Sequence, residues 1–372
     1  MKIETRKKLG DLLKEYTEKN TDNEYKPVAV GRYGIRKRED IYSKELAKDY
    51  SKNKLIYKNT LTVGMGSKQI DIGILTDDEI YAVSPAYHTF RIKNIDADYL
   101  RYCLDARNAD MSERFMIASA RQGKSVDFKK MLEYKIPVYS ESDTQTILYN
   151  LSKIENIILN LDSQLEKMDL LVKSRFIEMF GDPVDNEKNW ITMPLEKACE
   201  QIVDCPHSTP KYTEENTGYM CIRTSIVKRN SILWDEIEYI GKEEFDQRIK
   251  RRKPQKGDIV YTREGGILGI AAIIDRDCDV ALGQRSMLLS PNTEKCLPEY
   301  LCTTMNMESF FNKMTEGVIG SAAPHINVGD IKAFHIMLPP VELQKNFICF
   351  QKEVDKSKLA VQKVRKKIEK GL

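Results

Sequence analysis

The chain has 372 residues, a formal net charge of +3, 31% charged residues and eight cysteines. That length accommodates two domains of ordinary size, no apolar run approaches the roughly eighteen residues of a membrane span, and the polar start MKIETRKKLGDLLKEY lacks the apolar region of a secretion signal. The cysteines include no CxxC pair and read as reduced, mostly buried thiols of a cytoplasmic protein, while so small a net charge names no partner.

Residues 1–140 read as a first mixed α+β domain, in which short β-rich runs broken by glycine alternate with helical pieces such as 97–107. Residues 141–181 read as one long helix. Ile147, Leu151, Ile154, Ile158, Leu161, Leu165, Met168 and Val172 follow alternating four- and three-residue spacing without a polar interruption, which is a heptad seam rather than the broader stripe of a surface helix. From Asp143 to Phe180 such a helix is roughly 57 Å long. It stops in SRFIEMFGDP, where glycine just past the end and proline two residues on terminate a helix.

Residues 182–340 read as a second domain of the same class, with a helical piece at 298–313. Residues 341–372 read as a second long helix, with a seam at Leu343, Phe347, Phe350, Val354, Val361, Val364 and Ile368 that only Ser357 breaks. The two domains resemble each other. KNTLTVGMGSKQIDIGIL (58–75) lies over KGDIVYTREGGILGIAAI (256–273), YHTFRIKNIDADYLRYCL over RSMLLSPNTEKCLPEYLCTTM, and YKIPV over FHIMLPP, a repeat of roughly 200 residues. The expected architecture is two similar α/β-mixed domains separated by two long helices that form an antiparallel coiled coil, with pseudo-two-fold symmetry. The alternatives are that each helix docks on its neighbouring domain or pairs with another chain. Two similar heads held apart by stiff helices suit a partner with two sites at a set separation, such as duplex DNA.

SRFIEMFGDP after a heptad helix, with DCPHSTPKY (204–212), CIRTSIV (221–227), KGDIVYTREGGILG (256–269), LGQRSMLLSP (282–291) and GSAAPHINVGDIKAFHIMLPPVELQ (320–344), resembles the specificity subunits of type I restriction-modification systems. The resemblance implies two target recognition domains, each reading half of a bipartite DNA sequence. It implies helices that set the gap between halves and hold two modification subunits. Those partners would carry S-adenosylmethionine and methylate adenine, a restriction subunit would use ATP and Mg2+ to translocate and cut, and this chain would hold no cofactor and perform no chemistry. The first domain has no counterpart of DCPHSTP or of Gln284-Arg285, so its role rests on the duplication.

DNA recognition needs cations for phosphates and forked donors or acceptors for base edges. In the second domain the candidates are His207, Ser208, Thr209, Lys211, Arg223, Thr224, Arg263, Glu264, Gln284, Arg285, Ser321, His325 and Asn327; arginine can take guanine and glutamine adenine with two bonds each. Arg263 is expected to read a base, against the alternative that Arg263 and Arg285 form structural ion pairs. RIKRRKPQK (248–256), six basic residues in nine, reads as a solvated loop or a phosphate contact. In the first domain the candidates are Arg32, Arg36, Arg38, Lys68, Arg121 and Lys124, with Tyr33 packing among the arginines. The last helix carries nine Lys/Arg against four Asp/Glu, mostly an exposed face.

Enzymatic signals are absent. Cys199, Cys205 and His207 fit no zinc spacing, and no NPPY-like tetrapeptide, glycine-rich methyl-donor loop, GxxxxGK[ST] or nucleophile elbow occurs. The rival readings are a coiled-coil hub or orphan copy that no longer binds DNA, and the recognition part of a system whose modification and cleavage functions share one polypeptide.

Overall fold

The computed structural model describes residues 3–31, 34–42, 49–66, 68–119, 123–318 and 324–371, without the side chains of 119, 123 and 124. Two compact units divide the chain, Met1–Ile157 and Ile158–Leu372.

In the first unit, β1 (Thr5–Lys8), the single helical turn α1 (Leu9–Leu12) and β2 (Leu13–Tyr16) follow one another without a loop. β3 (Thr60–Met65), β4 (Ile70–Ile74) and β5 (His88–Ile92) complete an antiparallel sheet of order β2-β5-β3-β4. Leu61, Val63, Ile70 and Ile72 recur at every second position and so share one face. They pack there with Leu100 and Leu104 of α2 (Ala97–Asp105) and Met111 of α3 (Asn108–Phe115). Asp96 starts α2 by accepting the Tyr99 N–H at 2.9 Å, the capping that a short polar side chain supplies best. After α4 (Phe128–Leu132), β6 (Lys135–Val138) returns to pair with β1. A hairpin of Val28–Gly31 and Gly34–Lys37 packs on β4, and its Val28 and Val30 form a second small core with Ile56, Leu75, Tyr81 and Val83.

α5 (Glu141–Phe180) leaves the first unit and ends in the second. The second unit then repeats the same plan: β7 (Thr192–Pro194), the turn α6 (Leu195–Ala198) and β8 (Cys199–Asp204). An inserted sheet follows, with strands Tyr212–Thr213, Glu238–Ile240, Met220–Ile222 and Val280–Leu282 in that order and α7 (Lys242–Arg248) packed on it. β9 (Ile259–Thr262), β10 (Ala271–Ile273) and β11 (Ser286–Pro291) build the main sheet in the order β8-β11-β9-β10, strand for strand that of the first unit. α8 (Pro298–Asn306), α9 (Glu308–Thr315) and α10 (Val328–Ala333) follow, β12 (His335–Met337) pairs with β7, and α11 (Val341–Gly371) closes the chain.

The stop after α5 is a packed joint. Gly181 has φ +80° and donates its N–H to the Ile177 carbonyl at 2.8 Å, the left-handed ending that glycine adopts without a Cβ penalty. Trp190 Nε1 donates to the Phe180 carbonyl at 2.8 Å and Lys188 to that of Glu178 at 2.5 Å, so side chains satisfy carbonyls that a helix end otherwise leaves to water. Phe176, Phe180, Phe347 and Tyr300 meet fully buried just before this stop. At the start of α11, Gln344 is also buried. Its Oε1 accepts the Leu297 N–H at 2.8 Å, and its Nε2 donates to the Pro339 and Lys295 carbonyls at 2.8 and 3.0 Å.

Within the second unit α5 and α11 run antiparallel: Phe176 meets Phe347, Asp169 pairs with Lys358, and Asp162 pairs with Arg365 at 2.6 Å. Ile147, Leu151, Ile154, Ile158, Leu161, Leu165 and Met168 are half-buried and Val172 buried, whereas Leu159, Leu170 and Leu171 off that line are exposed. In α11, Phe347 and Val354 are buried, and Leu343, Phe350, Val361 and Ile368 half-buried. The expected seam needs correction at Val364, which is 51% exposed. Val361 and Ile368 keep the expected line, but at Ser357 and Val364 the half-buried residue is the next one, Lys358 and Arg365. The physical reason is that a long cationic side chain covers the seam with its stem while its tip reaches water or a partner; here the tips reach Asp169 and Asp162. No described helix is long and apolar enough to cross a membrane.

Candidate functional site

The main sheet of the second unit brings three chain segments to one end. The last residue of β8, Asp204, pairs with Met287 near the start of β11, and the last residue of β9, Thr262, pairs with Ser286. The segments beyond these ends therefore emerge together: 205–211, 263–266 and, leading into β11, 283–285. A fourth joins through backbone hydrogen bonds, from Gly265 N–H to the Pro324 carbonyl at 3.0 Å and from Ile326 N–H to that of Arg263 at 2.8 Å.

At their centre lies Arg263, whose side chain is only 6% exposed. Its Nε and Nη2 donate to the two oxygens of Asp204 at 2.9 and 3.2 Å, and its Nη1 lies 2.5 Å from Glu264 Oε1. A forked guanidinium matched to a carboxylate is the strongest hydrogen-bonded ion pair available to side chains. His207 lies against the same group, with Nε2 3.0 Å from Asp204 Oδ2 and Nδ1 3.9 Å from Glu264. This geometry is that of the alternative in which Arg263 forms a structural ion pair. Its donors are engaged inside the protein, and Asp204, which the sequence reading passed over, is the partner that engages them. Cys205 faces inward, its thiol accepting the Ser286 N–H at 3.3 Å, and burial raises its pKa.

Around this hub stand exposed polar side chains. His207, Ser208, Thr209, Lys211 and Arg285 are exposed and Gln284 is half-buried. Thr209 Oγ1 donates to Gln284 Oε1 at 3.2 Å, which joins two of the segments. Arg285 is held with φ +71°, a region that costs a non-glycine residue about 1–2 kcal/mol. Its carbonyl accepts the Arg263 N–H at 3.0 Å, and its side chain lies over Gly265, where a Cβ would come within 3.4 Å of Nη1. The hub therefore holds Arg285 in a strained backbone conformation with its side chain outward.

The remaining candidates are placed as follows. Arg223 pairs with Glu238 at 2.7 Å on the inserted sheet, and Thr224 begins a short 3-10 turn beside it. His325 is exposed and its backbone bridges to Glu264; Asn327 is exposed and donates to Asp330 at 3.0 Å. In the first unit Arg38 lies 5.4 Å from the Tyr50 ring and lines a cavity of about 320 Å³ with Tyr87, His88 and Phe128, while Arg36 and Lys68 are exposed. Arg32, Tyr33, Arg121 and Ser321, and the Lys124 side chain, lie outside the described residues. Among the described residues, no group of three or more His, Cys, Asp or Glu is placed to hold a metal ion.

Residues 187–370 match the type I restriction modification DNA specificity domain. The type I restriction enzyme MjaVIII specificity subunit of Methanocaldococcus jannaschii is 25% identical over 301 residues, 74% of this chain and 69% of that protein. The EcoKI specificity subunit of Escherichia coli is 28% identical over 149 residues, 37% of this chain and 30% of that protein. Among solved structures, a chain from work on complex assembly and conformational transition of the type I R-M system aligns with a TM-score of 0.57 at 14% identity. The alignment covers 98% of this chain and 94% of that one, and the likeness is one of fold.

Proposed function

We propose that this chain, a member of the type I restriction-modification specificity-subunit family, binds duplex DNA, reads a bipartite target with its two units, and brings modification and restriction subunits to it without catalysing a reaction. Methyl-donor, nucleotide and metal chemistry belong, in this reading, to the partners. The observation that carries it is the set of exposed His207, Ser208, Thr209, Lys211 and Arg285 with half-buried Gln284, gathered at one sheet end. Base edges are read by side chains with several donors or acceptors held in fixed positions, and a buried ion-pair hub supplies that fixity. The first unit takes the other half-site because its sheet has the same strand order.

Arg285 is the side chain best placed for a bidentate contact to guanine. Arg285→Ala, assayed in complex with the modification subunits on duplexes changed one base pair at a time, is expected to lose about 1–3 kcal/mol of discrimination at one position of one half-site. Equal weakening on every duplex would refute that role. The long helices act as the spacer: inserting one heptad of seven residues into α5 is expected to change the number of unread base pairs between half-sites and leave both half-sites as they were. Mapping methylated adenines in cells carrying the variant checks this, and an unchanged gap sinks it.

A further inference from the structure

Five of the six cations of RIKRRKPQK are bound to the protein itself. Arg252 pairs with Asp258 at 3.3 Å, Lys253 with Asp279 at 2.5 Å and Lys256 with Asp277 at 4.0 Å. Arg251 Nη1 donates to the Asp204 carbonyl at 3.2 Å. Arg248, the last residue of α7, has a side chain only 2% exposed. Its Nε donates to Glu244 at 2.7 Å, its Nη1 to the Leu282 carbonyl at 3.3 Å, and its Nη2 to the Ser208 carbonyl at 2.8 Å and Ser208 Oγ at 3.4 Å.

We infer that Arg248 and Arg251 are positioning residues that set the shape of the 204–209 loop, and through it the base preference of the second unit; this rests on the DNA-reading role proposed above. One buried guanidinium ties Ser208 to Leu282, two residues before Gln284, so it fixes the spacing between two segments that present polar side chains. Arg251 holds the other end of the loop at Asp204, the residue whose carboxylate grips Arg263. Between these two fastenings lie His207 and the rigid ring of Pro206. Thr209, just beyond Ser208, completes the tie by donating to Gln284. A guanidinium can serve several acceptors at once because its five donors point in a rigid planar fork, whereas an ammonium on a flexible stem is a point charge without that geometry. Arg248→Lys therefore keeps the charge beside Glu244 and loses the simultaneous hold on Ser208 and Leu282.

The prediction separates this role from phosphate contact and from general loss of structure. The full chain, assembled with its modification subunits, selects its target from a pool of random-sequence duplexes, and affinities are then measured on that target and on single-base-pair changes in each half-site at several salt concentrations. Arg248→Lys is expected to reduce discrimination in one half-site about tenfold, leave the other within about twofold, and leave the slope of log affinity against log salt unchanged. A phosphate-contacting residue would instead lower that slope by about one and weaken all duplexes alike. Arg251→Gln, at an exposed position, is expected to act on the same half-site and is the deciding variant if Arg248→Lys does not unfold cooperatively. Unchanged discrimination in the deciding variant, loss in both half-sites, or a reduced salt slope overturns the inference. Failure of the unsubstituted complex to prefer any duplex overturns the DNA-reading role itself.

Discussion

Replacing Phe347 with alanine is expected to lower the stability of the second unit by about 3–5 kcal/mol, the range for deleting a fully buried aromatic side chain. Phe347 is 0% exposed, and its ring centroid lies 5.5 Å from that of Phe176 and 5.6 Å from that of Phe180, both edge-on. These rings in turn contact Tyr300 of α8, at 5.7 and 4.9 Å. Edge-to-face pairs contribute about 0.5–1.5 kcal/mol beyond the area they bury, so a variant that keeps apolar volume but loses the ring, Phe347→Leu, should fall between. The position matters because it is where both long helices enter one core. Farther along the pair the seam is only half-buried, and its ion pairs, each with a partly exposed partner, are worth about 0–1 kcal/mol each. Val361→Ala should therefore cost well under half as much as Phe347→Ala. Both tryptophans, Trp190 and Trp234, lie in the second unit, and Trp190 donates to the carbonyl of Phe180. Denaturant titration followed by tryptophan fluorescence therefore reads this joint directly. A loss below about 1 kcal/mol would mean that the aromatic cluster is not what docks α11.

The helices and their stop were legible because their signals are periodic or local: a heptad seam needs only spacing, and Gly181-Asp182-Pro183 needs only its neighbours. The repeat was legible for a similar reason, since two copies of a fold keep their apolar runs and glycines at a constant offset. What failed was anything decided by a partner distant in the chain. Arg263 and Asp204 are 59 positions apart, and no pattern within either segment says that one neutralises the other; a lone arginine beside glycines reads equally as a base reader or as half of an ion pair until the sheet register is known. The same holds for Arg248, which looks like one cation in a basic run until α7 is seen to bury it. Val364 failed differently. An apolar pattern cannot anticipate that lysine and arginine stems will cover a seam when acidic residues on the facing helix receive their tips. The strand order of the inserted sheet was not legible at all, because its two- and three-residue strands are too short to carry an alternation.

The second large effect follows from the hub. Arg263→Ala is expected to destabilise the second unit by about 3 kcal/mol, because removing one member of a buried ion pair leaves the other without its counter-charge. The side chains of Asp204 and Glu264 are only 18% and 26% exposed, so once the guanidinium is gone two carboxylates remain close together with little access to water. Like charges in that setting repel and draw the local segments apart. The double variant Asp204→Ala with Arg263→Ala should be little less stable than Arg263→Ala alone, since the stranded charge is removed with its partner; the shortfall from additivity measures the coupling. Denaturant midpoints of both single variants and the double variant give that coupling without any DNA. The contrast with Arg285 is the useful one, because the two arginines lie on opposite sides of one hydrogen bond between Arg263 N–H and the Arg285 carbonyl. A buried arginine that mounts the site should change stability first and DNA affinity only as a consequence, whereas an outward one should change discrimination at one base pair with the melting behaviour intact. Were Arg263→Ala to unfold like the unsubstituted chain while altering a single base preference, the guanidinium would have to leave Asp204 on binding, and the fixed hub would be the wrong description of this surface.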